Sequence, residues 1–270
     1  RNSHLATIAN FLSEWKGPDK GFARVLSREN LSVLLSNRCL DPALLTKQVF
    51  DQCAGAMIMS ATLQPLSMYA DILGLPNAVQ KSFPSPFPEQ NRLALIVPKT
   101  TTKFSLRNEQ QYKEIATICA NVAQIIPGCV MIFFPSYSLR DAVASYFAEK
   151  YDKRIFYEKP GMQKEEKQKL LDMFSSQTKL GAVLLGVAAG SFGEGIDLPG
   201  ILKGVIVVGL PLERPDLETT QLISYYDAAF GKGWEYGYTL PAMNKCIQNA
   251  GRCIRSEKDR GVLVFLDERY

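Results

Sequence analysis

The sequence predicts an α/β protein: a doubly wound, mostly parallel sheet with helices on both faces, preceded by a small N-terminal α/β segment. Three observations carry this. From Leu93 onward, short apolar runs alternate with amphipathic stretches of helical length, the pattern of right-handed βαβ units. The run Cys129-Val130-Met131-Ile132-Phe133-Phe134 is apolar without a break, as a parallel strand covered on both faces must be. The stretch Phe83-Pro84-Ser85-Pro86-Phe87-Pro88 can continue neither a helix nor a central strand. It places a domain junction near residue 80, giving expected domains of 1–80 and 81–270.

In the first segment Leu5, Ile8, Phe11, Leu12 and Trp15 recur at helical spacing, and Gly17-Pro18-Asp19 ends that helix. Phe22–Leu26 and Leu31–Leu35 read as two strands about a polar turn, and Pro42–Gln52 as a helix. Ala56-Met57-Ile58-Met59 reads as a short buried strand running into Ser60-Ala61-Thr62-Leu63, followed by a helix over Leu66–Leu73. Beyond the prolines, strands are expected at Leu93–Val97, Cys129–Phe134, Arg154–Tyr157, Ala182–Leu185, Val205–Val208 and Val262–Leu266. Helices are expected at Glu109–Ile126, Leu139–Tyr151, Lys164–Phe174, and near 215–229 and 241–254.

Composition excludes more than it selects. The chain has 270 residues, 46% hydrophobic and 21% charged, ordinary for a globular protein. Lys and Arg number 31 against 27 Asp and Glu, a formal charge of +4. That balance permits a nucleic-acid partner without arguing for one. No apolar run approaches the roughly 18 residues of a membrane span, and Arg1-Asn2-Ser3-His4 carries no signal-peptide pattern. The expected setting is the cytoplasm, or the nucleus in a eukaryote, with no membrane partner. Six cysteines are scattered without a CxxC pair, and Cys119, Cys129 and Cys246 sit in apolar patterns that mark reduced core residues. With His4 the one histidine, no metal site is expected.

In open α/β sheets, ligands bind beyond the carboxyl ends of the strands, and three stretches fall there. After strand 129–134 comes Pro135-Ser136-Tyr137-Ser138. Its serines can cap a helix whose N–H groups hold a phosphate, and Tyr137 can stack on a base. A plain serine cap beside a packed tyrosine accounts for the same residues. After strand 182–185 come five glycines between Gly186 and Gly200, with Ser191, Glu194 and Asp197 among them. Glycine there allows close backbone approach to a ligand, but the order is not GxGxxG, which disfavours a nicotinamide-dependent oxidoreductase. The third stretch is Gln248-Asn249-Ala250-Gly251-Arg252-Cys253-Ile254-Arg255. Treated as a helix at about 100° per residue, it brings Gln248, Arg252 and Arg255 within roughly 60° of one another. Gly251 then leaves room for a close approach. Two guanidiniums on one face suit a polyphosphate; a solvated helix face is the plainer alternative. Ser60-Ala61-Thr62 is a further, weaker signal.

Taken in order, Ser60-Ala61-Thr62-Leu63, Phe133-Phe134-Pro135-Ser136, Gly190 to Asp197 and Gln248-x-x-Gly251-Arg252-x-x-Arg255 resemble motifs III, IV, V and VI of superfamily 2 helicases. The match is closest to the XPD/DinG branch. Ser85-Pro86-Phe87-Pro88 with Asn91-Arg92, Gly209-Leu210-Pro211 and Asp267-Glu268-Arg269-Tyr270 are also similar to that branch. In that family two RecA-like domains clamp ATP between them and walk along single-stranded DNA. The Walker A loop, the Mg²⁺-binding acidic box and the four cysteines of an iron–sulfur cluster belong to a first domain. This chain carries no GxxxxGK[ST] and no Asp-Glu-x-His.

The resemblance therefore implies the C-terminal part of such a helicase: the tail of motor domain one in 1–80 and motor domain two in 81–270. The ending inside a family motif implies a truncated piece. Activity as a DNA helicase of repair type, with 5′-to-3′ polarity, would then need the absent domain. ATP and Mg²⁺ would be held mainly by that domain, and the iron–sulfur cluster would lie only there. Arg255 takes the role of arginine finger, with Arg252 close by and Gln248 bonding the phosphates or the attacking water. Glu194, Gly195, Asp197 and Gly251 line the same cleft. Ser136, Tyr137, Ser138 and Ser191 hold the DNA strand, and Ser60 and Thr62 couple ATP state to domain closure. Partners implied are single-stranded DNA, the missing motor domain and repair-complex proteins. The family often has Ser or Trp where this chain has Gly193. The alternative function is a non-catalytic RecA-like module that binds single-stranded nucleic acid or a protein.

Overall fold

The computed structural model describes residues 3–29, 32–193, 196, 198–212 and 214–270. The chain divides into two compact units, Arg1–Ser82 with Glu213–Pro241, and Phe83–Leu212 with Ala242–Tyr270. A single cut near residue 80, as expected from the prolines, does not include the return of 213–241 to the first unit.

The first unit contains helix α1 (His4–Trp15), the antiparallel hairpin β1 (Phe22–Glu29) and β2 (Ser32–Cys39), and helices α2 (Ala43–Asp51) and α3 (Leu66–Ile72). Met68 of α3 packs with Tyr226 and Tyr236 as a small aromatic core. The hydroxyl of Tyr225 donates to Asp41 at 2.7 Å and that of Tyr236 to Asp71 at 2.8 Å. These bonds hold the returning segment, which is helix α7 (Leu217–Phe230) and a π-helical turn over Glu235–Thr239. Asp216 caps α7 by accepting the Thr219 N–H, and Gly231 stops it at φ +68°. One sequence expectation fails here. Ala56–Met59 belongs to no sheet, and Met57 is 81% exposed. An apolar run becomes a parallel strand only when neighbours satisfy its N–H and C=O groups. Among the described residues it has none.

The second unit is built on a parallel sheet in the order β3-β8-β7-β4-β6-β5. The strands are β3 (Arg92–Ile96), β4 (Cys129–Phe134), β5 (Arg154–Tyr157), β6 (Ala182–Val187), β7 (Leu202–Val208) and β8 (Gly261–Leu266). Alternation along β4 shows why the apolar run has no break. Val130, Ile132 and Phe134 pack with α4 (Glu109–Ile125) and α5 (Tyr137–Ala148) on one face. Cys129, Met131 and Phe133 pack with α6 (Lys164–Ser175) and α8 (Leu240–Ala250) on the other. The fold class is thus the expected one: α/β, RecA-like and doubly wound, with a smaller α/β segment ahead of it.

The cysteine assignment has a direct chemical consequence. Cys119, Cys129, Cys246 and Cys253 are buried, whereas Cys39 and Cys53 are exposed. Burial pushes the Cys129 and Cys246 thiols up to about 11 and the Cys253 thiol to about 12, and raises Cys119 as well. A thiol that is neither ionised nor accessible does not alkylate. Titration of the native chain with a maleimide is therefore expected to consume two equivalents quickly and the remaining four only after denaturation.

Candidate nucleotide and nucleic-acid site at the sheet edge

The carboxyl ends of the parallel strands bring the motif residues of the second unit together. β4 ends at Phe134, and Ser136 caps α5, its hydroxyl oxygen accepting the Leu139 N–H at 3.3 Å. The Ser136 and Ser138 hydroxyls lie 3.0 Å apart, and Ser138 is exposed. Tyr137 is half-buried and turned inward. Its hydroxyl donates to Glu158 at 3.0 Å, and the Arg140 guanidinium lies 5.0 Å from its ring centroid. Burial, then the neighbouring Glu158 carboxylate, push the Tyr137 hydroxyl up to about 12.

The glycine-rich turn after β6 is held from both sides. On the β5 side, the Glu158 carboxylate accepts the amides of Val187 and Ser191. On the α8 side, Asn249 donates its amide to the Ala188 carbonyl at 3.3 Å. Arg252 donates to the carbonyl of Ile196 at 2.9 Å and to that of Gly193. A Cβ at Gly193 would lie 2.3 Å from the Ala188 carbonyl oxygen. That position is therefore glycine because the turn folds back on itself. Ser191 is half-buried beside it. Glu194, Gly195 and Asp197 lie outside the described residues.

The helical-wheel expectation for 248–255 is corrected. α8 ends at Ala250, and the chain leaves through a tight turn closed by Arg252 N–H to Asn249 O and Cys253 N–H to Ala250 O. The Asp259 carboxylate then accepts the N–H groups of Arg255 at 2.9 Å and Ser256 at 2.8 Å. Burial raises its pKa, but these donors prevail and hold it below the usual carboxylate range. Gln248 and Gly251 are exposed, as is Arg255, whereas Arg252 is 6% exposed. Arg252 and Arg255 therefore do not lie on one continuous helix, and they differ in burial. One braces the glycine-rich turn from inside, and the other projects from a backbone fixed by Asp259.

Further along the edge, Asp267 after β8 accepts the Thr102 amide at 2.9 Å and the Arg269 guanidinium at 2.6 Å. Tyr270 donates to the Gly209 carbonyl at 2.6 Å. These contacts explain why Gly209-Leu210-Pro211 and Asp267–Tyr270 occur together. In the first unit, Ser60 is exposed and Thr62 half-buried, with their hydroxyls 3.3 Å apart. Among the described residues no group of His, Cys, Asp or Glu is placed to hold a metal ion, and no helix is long and apolar enough to cross a membrane.

Sequence reasoning did not single out Glu158, Arg140, Asn249 or Asp259. The available signal was positional: Glu158 is the first residue after β5, at the end of a strand where ligand sites form. Nothing local distinguished the others.

A parallel sheet with this arrangement at its carboxyl edge has known counterparts. Residues 119–270 match the helicase C-terminal domain family, more than half of the chain, and the chain belongs to that family. Over nearly its whole length it is similar to helicases of the XPD type. It is 26% identical to the general transcription and DNA repair factor IIH helicase subunit XPD/RAD3 of Saccharomyces cerevisiae, over 98% of this chain and 37% of that protein. It is 26% identical to the ATP-dependent DNA helicase CHL1 of Candida albicans, over 100% of this chain and 36% of the relative. The chain thus spans little more than a third of these relatives' length. A solved XPD helicase superposes with a TM-score of 0.69 at 20% identity, over 98% of this chain and 47% of that one. An apo XPD structure superposes with a TM-score of 0.70 at 21% identity, over 98% and 54%.

Proposed function

We propose that this chain supplies the second motor domain, and the end of the first, of an ATP-dependent DNA helicase of XPD type, with 5′-to-3′ polarity and a role in DNA repair. The observation that carries the reading is the meeting of motifs IV, V and VI at one sheet edge, through Tyr137, Glu158, Ser191, Gly193 and Arg252. In this reading Arg255 is the finger that reaches a triphosphate held mainly, with Mg²⁺, by the remainder of motor domain one. Gln248 bonds the phosphates beside it. Arg252 positions the turn that carries Glu194, Gly195 and Asp197. Ser136, Ser138 and Ser191, with the first turn of α5, hold the backbone of single-stranded DNA. Ser60 and Thr62 link nucleotide state to closure. Exposed Leu5, Val33, Leu45, Met57 and Val79 in the first unit support its completion by further polypeptide. An iron–sulfur cluster belongs to that further polypeptide. We place the protein in the cytoplasm, or in the nucleus of a eukaryote, with repair-complex proteins as partners.

The test is reconstitution. The chain alone is expected to show no DNA-stimulated ATP hydrolysis, and the full-length protein is expected to show it. Hydrolysis by the chain alone, or an inert full-length protein, would overturn the reading. If the chain instead binds single strands with a salt dependence typical of phosphate contacts while the full-length protein stays inert, the non-catalytic module is the better description.

A further inference from the structure

Glu158 places a carboxyl group inside the second unit at 0% exposure. Its partners explain it. One carboxylate oxygen accepts the Val187 amide at 2.7 Å. The other accepts the Tyr137 hydroxyl at 3.0 Å and the Ser191 amide. A carboxylate only accepts, so every donor must point inward. Three such bonds substitute for water around the buried polar group. The fit is tight: a Cβ at Gly190 would lie 2.8 Å from the Glu158 carboxyl carbon. Arg140 fixes the backbone on the same side by donating to the Glu158 carbonyl. Three separate stretches of sequence therefore converge on one side chain: the first turn of α5, the end of β5 and the glycine-rich turn.

We propose that Glu158 is a positioning residue that sets the shape of the turn over 187–191 and transmits to it the state of the first turn of α5, through the Tyr137 hydroxyl. Whatever occupies that first turn is then felt at the glycine-rich turn through the Tyr137–Glu158 link, in addition to any direct contact it makes with Ser191. The identity of the occupant as single-stranded DNA rests on the function proposed above; the positioning role does not.

The experiment is residue-resolved hydrogen exchange on the chain without ligand, comparing wild type, Tyr137→Phe, Glu158→Gln and the double variant. A carboxylate short of one donor either admits water or turns away, and glutamine sets an N–H against a donor. Each single variant is expected to speed exchange at Ser191 by about fivefold to tenfold, the scale of one hydrogen bond's net worth. The double variant is expected to exchange no faster than Glu158→Gln alone, because both act through one group. Ile132, at the centre of β4, is expected to stay unchanged. An unchanged Ser191, additive effects in the double variant, or equal acceleration at Ile132 would each overturn the proposal. Tyr137→Phe keeps the test decisive should Glu158→Gln fail to fold. A second arm adds oligothymidylate, which is expected to slow Ser191 exchange in wild type and less so in Tyr137→Phe. If the oligonucleotide does not bind, the strand-holding function fails, while the ligand-free comparison still decides the positioning role. Binding with an equal response in both proteins overturns transmission through Tyr137.

Discussion

Arg255→Ala in the full-length protein is expected to lower DNA-stimulated ATP hydrolysis by about 10³-fold or more, the range an arginine finger supplies. Its melting temperature should stay within roughly 2 °C of wild type. The two halves of this result are tied to where the residue sits. The side chain is exposed, so little packing is lost. The backbone is fixed by Asp259, which accepts both the Arg255 and the Ser256 N–H, so the guanidinium starts from a defined point. Such preorganisation is what makes a charge effective at a transition state. Steady-state hydrolysis with saturating single-stranded DNA, beside a thermal melt, checks both halves. Near-normal turnover would remove Arg255 from the catalytic set.

Arg252→Ala is expected to behave in the opposite way. Its guanidinium is buried and bonded to the carbonyls of Ile196 and Gly193. Truncation leaves two carbonyls facing a void, at a cost of roughly 2–4 kcal/mol. For a unit of this size that is a fall of roughly 5–12 °C in melting temperature. Arg252→Lys should recover only part of it, because an ammonium cannot match a planar fork across two acceptors. Differential scanning calorimetry on the three proteins measures this directly. A melt unchanged by Arg252→Ala would show that the turn holds its shape without the brace.

These contrasting expectations trace what was legible in the sequence. The strands of the second unit were visible because a parallel strand covered on both faces must be apolar at every position, as Cys129–Phe134 is. The same rule misled at Ala56–Met59, because apolar composition states what a strand needs and not whether neighbours are present. The grouping of motif residues was visible through the strand-end rule, since Ser136 and Ser191 follow the ends of β4 and β6, and Arg252 reaches the turn after β6 from the end of α8. The direction of each side chain was not. A wheel carried through Gly251 put Arg252 beside Arg255, whereas the helix stops at Ala250 and Asp259 reshapes the exit. Glu158 could not be read at all as a hub, because its donors come from positions 137, 187 and 191.

The strand order also bears on how the polypeptide is made. β8, the last strand, lies between β3, the first of its sheet, and β7. A nascent chain that has not reached Gly261 holds β3 without a partner and β7 with one bare edge. Sheet closure must therefore wait for Gly261–Leu266 to emerge, and such long-range closure is slow and exposes sticky edges meanwhile.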